Sequence, residues 1–253
     1  MWIYIFIINI KIVKMEIKNY SDGRYEGQLY NNKRQGFGKF YYINGTIYIG
    51  NWNNDVREGK GKETIYNNDI YEGEYIKDKR EGKGIYHYHN GEKYEGEFKN
   101  DLPHGKGIYN FNNNDKYEGD FKNGNNDGKG IYYYNNGDKF IGEYKNGLKE
   151  GKGIYYYNDG RIYDGQYIND VIEGKGTFYG KNGDIYVGNF KNNMFNGHGI
   201  YYYNNGKKFE GQFKNNKKEG KGIFYYNNGN IYEGFWKNNK RESNGFFRRL
   251  IND

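Results

Sequence analysis

The chain has 253 residues and a mass of 30.0 kDa, yet only 35% of its residues are hydrophobic and its mean hydropathy is -1.19. Its apolar content rests on 32 Tyr, 16 Phe and 3 Trp, with no Ala, four Leu and four Val, so an aliphatic core of helices packed on a sheet has nothing to be built from. A surplus of seven positive charges, 39 basic against 32 acidic, is spread in alternation instead of in blocks, which fits a weak preference for anionic surfaces better than nucleic-acid binding. Zero Cys removes disulfides, cysteine-zinc sites and thiol chemistry. Forty Gly against one Pro, with abundant Tyr, Phe and Ile, favour strands and turns. An aromatic content of 20% with balanced charge is not the signature of a disordered chain.

At the N-terminus, Trp2-Ile3-Tyr4-Ile5-Phe6-Ile7-Ile8 is apolar, but Asn9, Lys11 and Lys14 interrupt it well short of the ~18–20 apolar residues of a membrane span. It has no basic leading region and no small-residue cleavage site, so a signal peptide is not expected. Three readings stand for residues 1–14: an extra strand or cap on a sheet, a membrane-touching segment, or sequence upstream of a start at Met15. Residues 1–24 as a whole, with a short turn at Ser21-Asp22-Gly23, are expected to cap one end of the sheet.

From Tyr25 the sequence repeats every 23 residues without an insertion, restarting at Tyr48, Tyr71, Tyr94, Tyr117, Phe140, Tyr163, Tyr186, Phe209 and Tyr232. Nine full units fill 25–231, and an incomplete tenth runs over 232–253. Position 3 is always glycine: Gly27, Gly50, Gly73, Gly96, Gly119, Gly142, Gly165, Gly188, Gly211 and Gly234. Position 14 is Gly in all ten units and position 12 in nine, with Ser243 the exception, so 29 of the 40 glycines are structural. Position 5 is large and apolar throughout, from Leu29 to Trp236.

Within a unit, Tyr117-Glu118-Gly119-Asp120-Phe121-Lys122 and Lys129-Gly130-Ile131-Tyr132-Tyr133-Tyr134 alternate with period two, the pattern of half-buried strands. Asn123 to Gly128 and Asn135 to Asp138 read as turns. The fold class is therefore all-β: an elongated single-layer antiparallel β-meander in which each unit is one hairpin. At two strands of ~4.8 Å each, the units would make a twisted ribbon on the order of 90 Å long. A register pairing positions 5 with 14, 3 with 16 and 1 with 18 would set each glycine opposite an aromatic ring that covers it. Tyr117, Phe121, Tyr132 and Tyr134 then form the core face, and Glu118, Asp120, Lys129, Ile131 and Tyr133 the candidate partner surface.

Units such as YEGEFKNDLPHGKGIY (94–109) and YEGDFKNGNNDGKGIYYYNNGDK (117–139) resemble MORN repeats, the membrane occupation and recognition nexus motif, and the resemblance covers about nine tenths of the chain. Departures are local: Glu63 at the aromatic position 16, Asn68 at a turn glycine, Gly180 at position 18, and the lost second turn of the tenth unit. The resemblance implies a non-catalytic, cytoplasmic scaffold that organises protein partners at the cytoskeleton, cell cortex or ciliary apparatus. It also implies a homodimer through the C-terminal repeats, for which Trp236, Phe246, Phe247 and Leu250 are the candidate self-association residues. The alternative is a weak anionic-phospholipid tether through Lys99, Lys106, Lys122, Lys129, Lys145 and Lys152 at positions 6 and 13, interleaved with glutamates. Similar repeats precede a lipid kinase domain or a methyltransferase domain in other proteins, but 24 residues before the first unit and 22 after the ninth hold neither.

No catalytic, metal or cofactor site is expected. His87 and His89 form an H-x-H pair without a third ligand and read as turn-proximal substitutions, while His104 and His198 read as surface. The G-x-G steps lack the spacing and the strand-loop-helix context of a phosphate loop.

Overall fold

The structure, a computed structural model, describes residues 15–243 and 245–249, so the expectations for residues 1–14 and for Leu250 fall outside the described residues. Contacts divide the chain into two units, 1–105 and 106–253. The first holds β1 (Glu16–Tyr20), β2 (Gly23–Tyr30), β3 (Lys33–Tyr42), β4 (Ile47–Asn53), β5 (Val56–Thr64), β6 (Ile70–Ile76), β7 (Lys79–His87) and β8 (Lys93–Lys99); β9 (Leu102–Asn110) spans the division. The second continues with β10 (Lys116–Lys122), β11 (Asn125–Tyr133), β12 (Lys139–Lys145), β13 (Leu148–Tyr156), β14 (Ile162–Ile168) and β15 (Val171–Tyr179). It closes with β16 (Ile185–Lys191), β17 (Met194–Tyr202), β18 (Lys208–Lys214), β19 (Lys217–Tyr225), β20 (Asn230–Lys237), β21 (Lys240–Arg241) and β22 (Phe246–Arg249). No helix occurs among the described residues.

In the first unit each strand from β1 to β8 pairs antiparallel with the next. In the second the same holds from β10 to β20, after which β21 and β22 both pair with β20. Each unit is thus a single-layer hairpin meander, as the alternation and the repeat led one to expect.

The register differs from the expected one. Tyr117 lies opposite Tyr132 and Gly119 opposite Gly130, so position 1 pairs with 16 and position 3 with 14; past a bulge, Phe121 meets Asn126 and Lys122 meets Asn125. The reason is the turn. Asn123 and Gly124 both have positive φ (49° and 84°), the requirement of a two-residue hairpin turn with the strand-matching twist, so the second strand starts at Asn125 and not at Lys129. The residues left over are absorbed by the bulge, where Gly128 takes φ 113°. Position 12 is therefore a bulge glycine and not part of the turn.

Glycine consequently faces glycine on both sides: Gly130 pairs with Gly119 and with Gly142. Rings do cover these glycines, but not from the directly opposite residue: the position-1 ring lies over the glycine two residues on and over that glycine's partner on the next strand. A Cβ on Gly119 would sit 2.6 Å from the Tyr117 hydroxyl oxygen and 2.5 Å from the Gly130 Cα, and one on Gly130 would run into the same ring. That hydroxyl reaches past both glycines and donates to the Asp120 carbonyl at 3.0 Å. Phe140 and Phe209 cover their glycines without a hydroxyl.

The position-1 rings are walled by position-5 rings. Phe140 meets Tyr144 of its own repeat edge-on at 5.4 Å and Tyr167 of the next at 5.1 Å, and Tyr163 meets Tyr167 and Phe190 at 5.4 and 5.0 Å. Each such pair contributes roughly 0.5–1.5 kcal/mol beyond the area it buries. Tyr117, Phe140, Tyr163 and Tyr186 are wholly buried, so one face of a single sheet makes its own core. The expected core set holds: Tyr117 and Phe121 are buried, and Tyr132 and Tyr134 half-buried.

Side-chain carboxylates and amides join consecutive hairpins. Asp138 accepts from the Tyr155 hydroxyl at 2.8 Å and from the Asn158 amide at 2.7 Å, and Asp184 does the same with Tyr201 and Asn204. At the opposite edge Glu150 accepts from the Asn169 amide at 3.0 Å, and Asp170 from the Lys149 amide at 2.9 Å. These acceptors satisfy backbone donors that the ladder leaves unpaired at the turns.

Gly165→Ala would place its methyl against the Tyr163 hydroxyl and 2.8 Å from the Gly176 Cα. The expected loss is about 1–3 kcal/mol from overpacking. Lys181→Ala, on an exposed turn, is expected to stay within about 0.5 kcal/mol of the parent. Urea unfolding followed by circular dichroism checks this; equal midpoints for the two variants would remove close approach as the reason for glycine.

Candidate partner-binding face

The ring face offers little chemistry. Burial pushes the Tyr25 hydroxyl up to about 12 and those of Tyr48, Tyr71, Tyr163 and Tyr186 further, so these phenols stay protonated at neutral pH. Over the rings lies position 10. Arg34 sits 4.3 Å from the Trp52 ring centroid, Lys218 is within 5.3 Å of four rings including Trp236, and Phe195 stacks on Tyr186 at 3.8 Å. Removal from water among those rings lowers the Lys218 pKa.

The sequence departure at Glu63 puts a buried carboxylate, 8% exposed, in the place of a position-16 ring. It accepts from Arg57 at 2.7 Å, Arg80 at 3.0 Å and the Tyr75 hydroxyl at 3.2 Å. Burial alone would raise its pKa, but the two guanidiniums outweigh that and hold it below the usual range. A closed ion triad of this kind replaces a ring and has no approach for a substrate.

Among the histidines, His89 joins a turn. Its Nδ1 lies 2.8 Å from Asp69, which also accepts from the His89 amide and the Tyr86 hydroxyl at 2.8 Å each. Burial pulls Asp69 upward, and these hydrogen bonds with that from Asn67 outweigh it, leaving it at about 2. His104, expected at the surface, is half-buried, with an Nδ1 that has no hydrogen-bond partner; His198 is exposed. Among the described residues no three His, Cys, Asp or Glu side chains come together as metal ligands would.

The opposite face carries the exposed repeat. In the second unit Ile131, Ile141 and Ile154 oppose one another across the strands, and further on so do Thr177, Val187 and Ile200. Beside them runs a row of Tyr133, Lys139, Tyr156, Ile162, Tyr179 and Ile185, in which Lys139 lies 4.7 Å over the Tyr156 ring. Val187, Tyr179 and Tyr202 are 40–41% exposed, so this face is apolar in part, and no second layer covers it among the described residues. With the shifted register position 2 faces position 15, and position 4 faces position 13: Glu118 opposes Ile131, Lys60 opposes Glu74, and Lys129 opposes Glu143.

The structure places Tyr25, Gly27, Gly50, Gly73, Gly119, Gly142, Gly165, Gly188, Gly211 and Gly234 in the ring-over-glycine arrangement, and Gly96 opposite Gly84. Lys99, in the first unit, is exposed. Lys106, Lys122, Lys129, Lys145 and Lys152, in the second, are exposed too, and Lys106 pairs with Asp120 at 2.6 Å. Of the candidate self-association residues, Phe246 and Phe247 are 66% and 62% exposed on β22. Trp236 is 5% exposed in the ring core, its indole N–H donating to the Gly222 carbonyl at 3.4 Å, which corrects its assignment to a contact surface. The carboxylates and amides at positions 8, 11 and 22 that join the hairpins were missed; their signal was an acid or amide that recurs beside the turns in most repeats, with exceptions such as Gly124, His104 and Arg161.

A single-layer sheet of ring-covered hairpins in strict register defines a repeat protein. The sequence matches the MORN repeat family at 25–47, 48–70, 71–93, 94–116, 117–139, 140–160, 163–185, 186–208, 209–231 and 232–249, and the chain belongs to that family. No curated protein matches it. Among solved structures it is similar to the TCP10 domain of Danio rerio CPAP in complex with a peptide of Danio rerio STIL, with a TM-score of 0.51, 14% identity, and 90% of this chain and 96% of that one covered. The same domain without the peptide aligns at a TM-score of 0.47 with 14% identity, over 81% of this chain and 95% of that one. The likeness is one of fold.

Glu63→Leu is expected to cost about 3 kcal/mol, the low end for breaking a buried pair, because Arg57 keeps its contact with Asp78. Glu63 and Asp69 are both depressed, so their stabilisation is complete above the unfolded carboxylate range of ~4 and is lost as the pH falls through the folded values, about 2 for Asp69. Melting temperatures should hold between pH 7 and 5 and fall below 4, less steeply in Glu63→Leu; a parent whose melting temperature rises on acidification would refute this.

Proposed function

We propose that the protein is a non-catalytic scaffold whose open sheet face holds protein partners in the cytoplasm at the cytoskeleton, cell cortex or ciliary apparatus, and that it self-associates as a homodimer. The observation that carries this reading is the division of labour between the two faces. One is consumed by rings that bury each other, and the other repeats Ile, Tyr and Lys at fixed intervals with no second layer over it among the described residues. Such a face offers the same contacts in every repeat, in place of an enclosed pocket in which reacting groups converge. The fold neighbour bound to a peptide of STIL is a precedent for a peptide held on a domain of this fold. Phe246 and Phe247 supply exposed apolar area for self-association.

The second reading is a weak tether to anionic phospholipid through Lys99, Lys122, Lys129, Lys145 and Lys152, with Lys106 already engaged by Asp120. Exposed lysines near an anionic surface contribute about 1 kcal/mol each at best and are screened by salt. Flotation of the full chain with neutral and phosphoinositide-containing vesicles, with its molar mass measured alongside, separates the two. The expected result is no flotation at ~0.15 M salt and a mass twice the 30.0 kDa of one chain; flotation that survives this salt would make the lipid reading the leading one.

A further inference from the structure

The row formed by positions 4 and 13 changes its charge within the second unit. Lys106 pairs with Asp120, and Lys129 opposes Glu143. From β13 onward the acid is gone: Lys152 opposes Gln166, Lys175 opposes Asn189, His198 opposes Gln212, and Lys221 opposes Phe235. In the first unit, past Phe37 opposite Asn51, the acidic form holds, with Lys60 opposite Glu74 and Lys83 opposite Glu97.

The exchange leaves the local structure intact. Asp120 accepts from the Lys129 amide at 3.0 Å, and Gln166 accepts from the Lys175 amide at 2.9 Å through its side-chain oxygen. The amide thus does the structural work of the carboxylate without neutralising the neighbouring lysine. Lys175, His198 and Lys221 are all exposed.

The same region holds a groove of about 760 Å³, lined by Lys152, Lys175 and His198 on one side and Thr177, Val187 and Ile200 on the other. Its one carboxylate, Asp164, lies on β14 in the neighbouring row. Its floor is low because Thr177 and Val187 stand where the preceding repeats carry Ile131, Ile141 and Ile154.

We infer that this face binds an extended acidic polypeptide segment running across the strands, with a carboxylate at every third residue. The spacing follows from the sheet. Lys175, His198 and Lys221 lie on β15, β17 and β19, every second strand, and therefore ~9.6 Å apart. Three residues of an extended or polyproline-like chain span ~9–10 Å. Carboxylates at that interval meet Lys175 and Lys221 as ion pairs and the His198 ring as a hydrogen-bond partner, the amides between them offer donors and acceptors to the peptide backbone, and Val187 and Ile200 take an apolar side chain. The groove beside Lys152, Lys175 and His198 suits an inserted side chain of a polypeptide better than a flat bilayer. The inference rests on the scaffold reading and names the chemistry of the partner.

The test is fluorescence anisotropy with the full chain and a labelled 12-residue peptide carrying Glu at every third position, against its Gln counterpart. The Glu peptide is expected to bind, and Lys175→Gln/Lys221→Gln to weaken it about tenfold, through loss of two exposed charge contacts. Lys60→Gln/Lys83→Gln, which alters the parent's net charge equally but in the acid-flanked row, is expected to change it less than about twofold. Equal weakening by both pairs would overturn the proposal, as would absence of binding by the Glu peptide. Equal binding of the Gln peptide would overturn it too, while leaving the scaffold reading in place. Lys175- and Lys221-dependent flotation on phosphatidylserine vesicles without peptide binding would overturn it in favour of a membrane.

Discussion

A ring laid over two glycines is the contact on which the rest depends. Tyr117 covers Gly119 and Gly130, and its hydroxyl ends on the Asp120 carbonyl. Because both glycines lack a side chain, the ring lies against backbone and is itself buried by the position-5 rings on either side. The usual need for a second layer to cover an apolar sheet face is thereby met within one layer. Everything on the other face is released from the duty of forming a core.

The bulge at position 12 and the two-residue turn at positions 7 and 8 serve that contact. They shift the second strand of each hairpin so that glycine meets glycine, and they bring position 10 over the rings. There Arg34, Lys149 and Lys218 cover aromatic faces with side chains largely withdrawn from water, while Ile172 and Phe195 do the same task as plain hydrophobes. Glu63 shows how far the pattern bends. A ring is replaced by a carboxylate only where two guanidiniums and a phenol stand ready to satisfy it.

Much of this was legible in the residues. The 23-residue period, the two faces of each strand and the role of aromatics over glycine follow from alternation and from fixed glycine positions. The register did not, because Asn123 to Gly128 reads as one turn when nothing in composition separates a turn glycine from a bulge glycine. Trp236 is among the candidate self-association residues that the resemblance implies, yet its place at position 5 already marks it as core. The change from Glu143 to Gln166 is visible in the sequence, but its meaning waits on the register, since only pairing shows that position 4 lies opposite the lysine of position 13.

The joints between hairpins have a consequence for how such a chain grows. Asp138 reaches the next turn just as Asp184 does two repeats later, and Glu150 and Glu173 close the other edge in the same way. The joints are nonetheless of more than one kind: Arg161 and Lys207 stand where Asp138 and Asp184 do, and the ring that follows each of them is Phe178 or Phe224, with no hydroxyl to donate, where Tyr155 and Tyr201 follow the acids. Duplication or loss of a 23-residue segment therefore keeps a joint complete only where an acid still precedes a Tyr or a cation a Phe, so the joints give each hairpin a preferred successor along the chain.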